Sequence, residues 1–252
     1  MNIGIIGSGN VAFQLSRGLF NAGHKIDFVH SRNSKTGKPL AKKYDSIFIT
    51  DLSVLPQTDV ILIAVNDDQI EKVSSQIKPD SSRIVLHTSG AIPSTALNGH
   101  EKYGILYPLY SFSHKRRLSL KKIPFLITSS DDEVISSLRT LALDLTWKIY
   151  QVTDEERAQL HVAAVFANNF ANFMMSQAFE IVEQHDLDLK ILLPIIQQST
   201  QNWNRGIAKE KQTGPAIRED YRTMDRHIDL IKDNSIKEMY KLISQNIIKF
   251  NK

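Results

Sequence analysis

Three small residues near the start of the chain have the spacing of a turn that holds a dinucleotide pyrophosphate. Gly7, Gly9 and Ala12 follow the apolar run Ile3 to Ile6 and open a stretch with helical periodicity. The first glycine permits a tight turn, the second lets the backbone approach the phosphates, and a small third residue lets helix and strand pack closely. The helix N-terminus adds unpaired N–H groups. The residues predicted to bind the pyrophosphate are Gly7, Ser8, Gly9, Asn10 and Val11.

The end of the second predicted strand, Ile26 to His30, indicates which dinucleotide the turn would hold. NAD enzymes usually place a carboxylate there for the ribose 2′-hydroxyl, whereas this chain has Ser31 and Arg32. A guanidinium can pair with a 2′-phosphate. Asp27, the competing acid, lies at the start of the strand and is expected to point away from the ribose. We therefore predict NADP (NADPH) as cofactor, bound by Ser31 and Arg32.

Two later strand ends are expected to border the same cofactor, because ligands of doubly wound sheets bind beyond the carboxyl ends of the strands. Val65 and Asn66 follow one apolar run and are assigned to the adenosine half. Ser89 follows the next run and is assigned to the nicotinamide half.

Hydride transfer at a nicotinamide also needs a group that gives or takes a proton near neutral pH, and histidine suits this task. His161, Val165 and Asn169 fall at four-residue steps in an otherwise apolar helical run. One helix face would therefore present an imidazole and an amide. We assign His161 and Asn169 as catalytic candidates. The alternative is that both side chains bond to neighbouring helices or cap loops inside the core.

A turn in the second half of the chain is predicted to contact a small-molecule substrate. Gly214 and Pro215 are typical of a turn that enters a helix, and Arg218 would lie in the first helical turn, where anions bind. Gly214 and Arg218 are thus candidate partners for a substrate carboxylate or phosphate. The alternative for Arg218 is a salt bridge to Asp220 or Glu219.

Tyr107, in the run Tyr107 to Phe112, is placed in a substrate loop near the cleft, or else only packs at the sheet edge.

The residues that several other chemistries need are absent from the sequence. The chain has no cysteine, and its eight histidines include no close pair with supporting acids, so we expect no metal site. It also has neither a Gly-x-Ser-x-Gly elbow nor a P-loop lysine.

The elements that position these residues follow from hydrophobic patterning. Short β-branched runs alternate with helical patterns through the first half, as a parallel sheet covered on both faces requires. The predicted fold class is α/β, a Rossmann doubly wound parallel sheet followed by an all-α C-terminal domain. The predicted strands are Ile3 to Ile6, Ile26 to His30, Ile47 to Thr50, Val60 to Val65, Ile84 to Thr88 and Phe125 to Thr128.

The pattern becomes helical after about Tyr150, beginning with a capping box made by Thr153 and Glu156. We therefore predict a Rossmann NADP-binding domain over 1–150 and a helical substrate and dimerisation domain over 151–252. The first helix, Asp154 to about Gln184, is apolar on most sides, as in a helix covered by other helices or by a second subunit. We expect a homodimer. Further helices are predicted over 189–202, 215–232 and 236–248.

Composition limits the partners. The 252 residues are 42% hydrophobic and 23% charged, as in soluble globular proteins. No apolar run approaches the roughly 20 residues that cross a bilayer, and the first strand leaves no room for a signal peptide, so we expect a cytoplasmic protein without a membrane partner. The net charge of +4 is modest, and no nucleic-acid partner is expected. A nucleic-acid-associated regulator that uses the basic region Lys115 to Lys122 is the alternative.

Five motifs carry a resemblance that spans nearly the whole chain: Gly7 to Ala12, His87 to Ala91, Tyr107 to Phe112, His161 to Phe170 and Thr213 to Asp220. On these the chain resembles the superfamily of 6-phosphogluconate, 3-hydroxyisobutyrate and pyrroline-5-carboxylate oxidoreductases. More narrowly it resembles NADP oxidoreductases that pair a Rossmann-like domain with a C-terminal domain of unknown function. The resemblance implies NADP binding and hydride transfer to or from a small carbonyl, imine or hydroxy-acid compound.

Two positions depart from the resemblance. In hydroxyacid dehydrogenases of the superfamily a catalytic lysine precedes an asparagine by four residues; if Asn169 matches that asparagine, Val165 stands at the lysine position. Glu219 stands where the narrower family often carries glycine. The missing lysine leaves a catalytically weak NADP-binding sensor or structural protein as the alternative to an enzyme.

Overall fold

The computed structural model describes residues 1–114, 118–206 and 210–250. They form two compact units, Met1–Phe173 and Met174–Lys252. Lys115, Arg116 and Arg117, which belong to the alternative nucleic-acid site, lie outside the described residues.

The first unit contains an eight-stranded sheet in the order β3-β2-β1-β4-β5-β6-β7-β8. All neighbouring pairs are parallel except β6 and β7, which are antiparallel. This confirms the predicted doubly wound α/β class. The strands are β1 Asn2–Ile6, β2 Lys25–His30, β3 Ile47–Ile49, β4 Val60–Ile63, β5 Ile84–His87, β6 Tyr103–Pro108, β7 Pro124–Thr128 and β8 Lys148–Gln151.

Strands β6 and β8 were not predicted. The placement of Tyr107 in a loop or at the sheet edge was wrong, because Tyr107 lies on β6, which runs between β5 and β7. Gly104 and Pro108 lie within β6 and interrupt its apolar pattern. These two residue types are depleted in strands, so sequence patterning alone favours a loop there.

The central strands are buried on both faces, as the near-continuous apolar runs predict. Ile3 and Ile5 of β1 pack into one hydrophobic core cluster, and Ile6 packs into a second. In β4, Leu62 belongs to the first cluster and Ile61 to the second. Helices must therefore cover both faces of the sheet.

The first of these helices shows how the sequence specifies them. In α1, Ala12, Leu15 and Leu19 are completely buried, and each leucine contributes about 2 kcal/mol by leaving water. The helix ends just before Gly23, which adopts φ 92°, the left-handed conformation that often terminates helices. The helices of this unit are α1 Asn10–Asn21, α2 Ser34–Lys43, α3 Ile70–Ser74, α4 Asp132–Leu145 and α5 Asp154–Ala164, with 3₁₀ turns at Asp67–Gln69, Ser94–Leu97 and Leu120–Lys122.

The long helix predicted from Asp154 is observed as α5, a π-helical segment Val165–Phe170 and α6 Ala171–Glu183. It begins with the predicted capping box, in which the Glu156 N–H donates to Thr153 Oγ1 at 3.1 Å and the Thr153 N–H donates to the Glu156 carboxylate at 2.8 Å. The π segment changes the side-chain register, because its backbone bonds skip five residues instead of four. A simple four-residue step therefore no longer describes the helix face beyond Val165.

The described elements of the second unit are all helical, which confirms the predicted class of the C-terminal region. After α6 come a 3₁₀ turn Leu189–Leu192, α7 Leu193–Asn204, α8 Tyr221–Leu230 and α9 Asn234–Phe250. The compact units divide at 173/174 and not at 150, so α5 and the π segment belong with the sheet. The functional division into 1–150 and 151–252 stays a prediction. No helix in the described ranges is long and apolar enough to cross a membrane.

The helix predicted to begin at Pro215 does not begin there. Residues 215–219 form turns, and α8 starts at Tyr221, with the Asp220 carboxylate accepting from the Thr223 N–H at 3.1 Å. Arg218 therefore precedes the helix and is not in its first turn. Glu219 adopts φ 52°, a left-handed conformation that explains why glycine suits this position.

Candidate functional site

The predicted phosphate turn has the geometry that a pyrophosphate needs. Gly7 adopts φ 125°, and a Cβ on it would lie 2.1 Å from the Ala64 carbonyl oxygen, so only glycine fits. Gly9 caps α1, and a Cβ there would meet nothing within 4 Å. In α1, all of which is described, no acidic residue lies in the first turn and no side chain caps it. Its N-terminal N–H groups are thus free to bind an anion, with open space beside Gly9.

Three hydroxyls meet beside this turn, and we call Ser8, Ser31 and Thr36 the hydroxyl cluster. Ser8 Oγ lies 2.7 Å from Ser31 Oγ and 2.6 Å from Thr36 Oγ1. The exposed Arg32 follows Ser31 and donates to Gln69 Oε1 at 3.1 Å. Sequence reasoning missed Thr36, although its place in the first turn of α2, directly after β2, was a usable signal.

The loops after β4 and β5 lie at the same carboxyl edge of the parallel strands. Val65 and the exposed Asn66 follow β4. Ser89 is buried after β5, and its Oγ accepts from the Ala91 and Ile92 N–H groups, each at 3.1 Å. The Ser89 hydroxyl therefore shapes its own loop and keeps one hydrogen to donate.

A buried histidine also holds this loop. His87 is fully buried, and its Nδ1 accepts from the Ser89 N–H at 3.1 Å. That contact leaves Nε2 to donate to the Pro93 carbonyl at 3.4 Å. Burial lowers the pKa of His87 to about 4, so the ring is neutral near pH 7.

A second network, not predicted from the sequence, fixes the start of α5. Arg157 is fully buried, and its Nη1 donates to Asp154 at 2.6 Å and to Thr128 Oγ1 at 3.2 Å. Its Nη2 donates to the Ile92 carbonyl. Ser94 donates to Asp154 through both N–H and O–H, at 2.9 and 2.7 Å. Burial opposes ionisation of Asp154, but the bonds from Ser94 and Arg157 hold its pKa below the ordinary value.

The catalytic candidate on α5 meets the tyrosine of β6. Tyr107 Oη lies 3.0 Å from His161 Nδ1, with the two rings nearly perpendicular at 76°. A Cβ on Gly90 would lie 2.6 Å from His161 Nδ1 and 2.7 Å from Tyr107 Cζ. The loop after β5, the end of β6 and α5 therefore meet at one point. Burial raises the pKa of Tyr107, nearby Asp67 raises it further, and Arg157 opposes both.

A cavity of about 640 Å³ opens at this pair. Tyr107, His161 and Asn169 line it, so the structure brings three of the predicted site residues together. Val165, at the position where the superfamily would place lysine, lines it as well. The observed partner of His161 is Tyr107 on strand β6. The catalytic roles of His161 and Asn169 stay predictions.

The two other predicted substrate residues, Gly214 and Arg218, belong to the second unit. Gly214 adopts φ 109° in the turn before α8. Their substrate role stays a prediction. Within the part of the chain that the structure describes, no group of three histidine, aspartate or glutamate side chains is placed to hold a metal ion.

Comparison with known families agrees with this geometry. Residues 2–89 match a family model described as NADP oxidoreductase, coenzyme F420-dependent, and residues 123–247 match a domain of unknown function, DUF2520. A Bacteroides fragilis protein described as a "putative NADP oxidoreductase" is 31% identical, with 98% of each chain covered and a TM-score of 0.87. The chain belongs to this family of two-domain NADP oxidoreductases. No curated protein matches the sequence.

More distant solved structures share the fold. An imine reductase from Myxococcus stipitatus in complex with NADP⁺ is 13% identical, with 99% of this chain and 92% of that chain covered and a TM-score of 0.69. A reductive aminase from Aspergillus terreus in complex with NADPH and ethyl levulinate is also 13% identical, with coverages of 98% and 94% and a TM-score of 0.72. At such identity the likeness concerns architecture alone.

Proposed function

We propose that the protein is an NADP-dependent oxidoreductase that transfers hydride between the nicotinamide and a small carbonyl, imine or hydroxy-acid compound. The observation that carries this proposal is the contact between Tyr107 and His161 at a cavity beside the loop after β5. In doubly wound sheets that loop borders the cofactor. The names of the imine reductase and the reductive aminase support carbonyl and imine compounds as the first to test.

The cofactor site would use the carboxyl edge of three strands. The pyrophosphate would lie against Gly7, Ser8, Gly9, Asn10 and Val11, where the N–H groups of α1 are free. The adenosine half would pass Val65 and Asn66, and the nicotinamide half would pass Ser89. When bound, the dinucleotide supplies the hydride.

The choice of NADP rests on Arg32 and the hydroxyl cluster. A guanidinium and three hydroxyls can all donate to a ribose 2′-phosphate. No carboxylate follows β2 directly, since residues 31–33 are Ser, Arg and Asn. Asp27 instead forms an ion pair with Lys25, with 2.7 Å between Lys25 Nζ and Asp27 Oδ1. This contact supports the prediction that Asp27 points away from the ribose.

The proton that accompanies the hydride would come from His161, with the Asn169 amide orienting the substrate. Val165 offers no ammonium group, so this chain cannot use the proton donor of the hydroxyacid dehydrogenases. Arg218 remains the predicted partner for a substrate carboxylate. A sensor or structural protein that binds NADP without turnover is the second candidate. The observation that favours it is that Val165 stands where the superfamily would place a catalytic lysine.

Turnover separates these two candidates. NADPH absorbance should fall when purified protein is mixed with a panel of small ketones, aldehydes, imines and 2-oxo acids, and ethyl levulinate with and without methylamine belongs in that panel. Saturable oxidation that His161→Ala abolishes supports the enzyme. Tight NADPH binding without oxidation across the panel supports the sensor.

We also propose that the protein is a homodimer, with the helical region as the interface. Helix α7 and the turn before it expose large apolar side chains: Ile191 is 67% exposed, Ile195 61% and Trp203 52%. Exposed apolar clusters of this kind mark association sites. Light scattering after gel filtration should give twice the chain mass for the wild type, and Ile195→Glu should shift the protein toward monomer.

A further inference from the structure

We propose that the Tyr107 phenol donates the proton directly to the substrate, and that the His161 imidazolium orients this phenol and restores its proton. The inference rests on the proposed function and deepens it. It makes Tyr107 the catalytic residue and His161 a positioning residue that stores the proton.

The geometry favours this order of proton donors. His161 Nδ1 lies 3.0 Å from Tyr107 Oη, and the backbone at Gly90 packs against both rings. A proton on Nδ1 therefore has the phenol oxygen as its acceptor. Tyr107 lines the cavity and lies on β6, beside the loop that would border the nicotinamide.

The protonation state of His161 determines where the phenol hydrogen points. When the neutral imidazole carries its hydrogen on Nε2, the Tyr107 O–H donates to Nδ1 and is not available to the substrate. When the neutral imidazole carries its hydrogen on Nδ1, the phenol hydrogen is released, but the ring could restore the phenolic proton only by becoming an anion. When the imidazole is protonated, Nδ1–H donates to Oη, and the phenol hydrogen must point elsewhere, into the cavity. Reduction therefore requires the imidazolium, and oxidation in the reverse direction requires the neutral ring.

Reduction of the substrate moves one hydride and two protons. The carbonyl or imine carbon of the substrate accepts the hydride, and its π-electron pair moves to the oxygen or nitrogen. That atom takes the phenolic proton, and the phenolate takes the Nδ1 proton. The products are an alcohol or amine, oxidised dinucleotide, Tyr107 as phenol and neutral His161, which regains a proton from water.

The surroundings explain why the phenol needs this help. Burial raises the pKa of Tyr107, and the charge of Asp67 raises it further. The Arg157 guanidinium opposes these effects, while His87 is neutral. Tyr110 lines the same cavity. A buried phenol in this setting is a weak acid unless a cation bonds to its oxygen as the proton leaves.

Four variants of the full chain test the inference. Tyr107→Phe and His161→Gln remove the two groups, and Tyr150→Phe and His185→Gln, on exposed residues, are the matched controls. NADPH binding is measured by calorimetry. Initial rates with ethyl levulinate and with 2-methyl-1-pyrroline are measured from about pH 5 to pH 8, where histidine titrates.

We expect Tyr107→Phe to lower kcat by about 10²- to 10⁴-fold while NADPH affinity changes less than about twofold. Wild-type rates should fall as pH rises and the imidazole deprotonates. His161→Gln should flatten this profile.

Near wild-type kcat in Tyr107→Phe, together with loss of activity in His161→Gln, would overturn the inference and leave the proposed function intact. A pH profile of His161→Gln that is as steep as that of the wild type would also overturn it. If the wild type binds no NADPH or reduces neither probe, the proposed function fails first and the proton-transfer assignment falls with it.

Discussion

Ser8 Oγ lies 2.6 Å from Thr36 Oγ1, although the two residues are 28 positions apart in the chain. The contact joins the phosphate turn after β1 to the first turn of α2 after β2. Ser31 completes the group from the other side of Ser8. In doubly wound folds the ribose next to the adenine lies between these two turns, so hydroxyl donors there can distinguish a 2′-phosphate from a 2′-hydroxyl.

Cofactor preference should therefore depend on Arg32 and Thr36. Arg32→Ala should weaken NADPH binding by about 10- to 100-fold, because a charge-assisted bond to the 2′-phosphate is lost. Thr36→Val should weaken it by about 3- to 10-fold. NADH affinity should change little in either variant. Calorimetry with both dinucleotides measures this, with Lys148→Ala on β8 as the control; equal losses for NADPH and NADH would contradict the assignment.

Substitution of the two glycines of the phosphate turn should have different effects: Gly7→Ala should affect stability, and Gly9→Ala should affect NADPH binding. Gly7→Ala should destabilise the fold by about 3 kcal/mol, since the residue has positive φ and its Cβ would meet the Ala64 carbonyl. Gly9→Ala should change stability by less than about 1 kcal/mol, because its Cβ would point into open space. It should nevertheless weaken NADPH binding at least about tenfold, because that space is where the pyrophosphate would lie.

Urea unfolding and calorimetry on the same samples separate the two effects. Gly99→Ala, where a Cβ also meets nothing within 4 Å, is the control and should leave both quantities unchanged. Unaltered NADPH binding in a folded Gly9→Ala protein would place the pyrophosphate elsewhere.

His87 should make stability depend on pH. Burial lowers its pKa from 6.5 to about 4, so the unfolded chain binds the proton more tightly than the folded one. The contribution of the buried neutral ring to the free energy of unfolding is fully present above the unfolded-state pKa of 6.5. It is lost as pH falls toward the folded-state pKa of about 4. The loss is at most about 3 kcal/mol.

His87→Gln removes the titrating group, so the variant should lose less free energy of unfolding than the wild type as pH falls. The difference in free energy of unfolding between wild type and variant, called the stability gap, should therefore narrow. Urea unfolding at about pH 7 and about pH 5 measures the gap. The exposed His185→Gln is the control. A gap that stays constant between the two pH values would show that His87 does not titrate as its burial requires.

Arg157 should be a large contributor to the stability of the first unit. Arg157→Met should destabilise it by about 3–5 kcal/mol, because Asp154 would lose its cation. The double variant Arg157→Met with Asp154→Asn should recover part of the loss, since no unpaired charge remains. Urea unfolding compares both with Arg139→Met, an exposed arginine. A loss of less than about 1 kcal/mol in the free energy of unfolding of Arg157→Met would contradict a large contribution of Arg157 to stability.

Much of the fold was predictable because it depends on local patterns. The apolar runs of β1, β4 and β5 required a parallel sheet, and Thr153 with Glu156 marked the start of α5. Glu219 shows a weaker signal of the same kind: a position that favours glycine proved to be left-handed in the structure.

The site was only partly predictable because its contacts are long-range. The 54 positions between Tyr107 and His161 say nothing about distance, and β6 was hidden by its glycine and proline. Arg157 follows three acidic residues and resembles an exposed helix start, yet it is fully buried. Asn169 lies in the π segment, so the four-residue spacing alone could not establish that it lines the same cavity as His161.

Calorimetric titration of the purified wild-type protein with NADPH and NADH measures whether the chain binds a dinucleotide and which one it prefers. We expect one NADPH site per chain with a dissociation constant in about the micromolar range, and weaker binding of NADH. Absence of measurable heat with both dinucleotides at about millimolar concentration, the upper limit of ordinary enzyme affinities, would contradict this expectation.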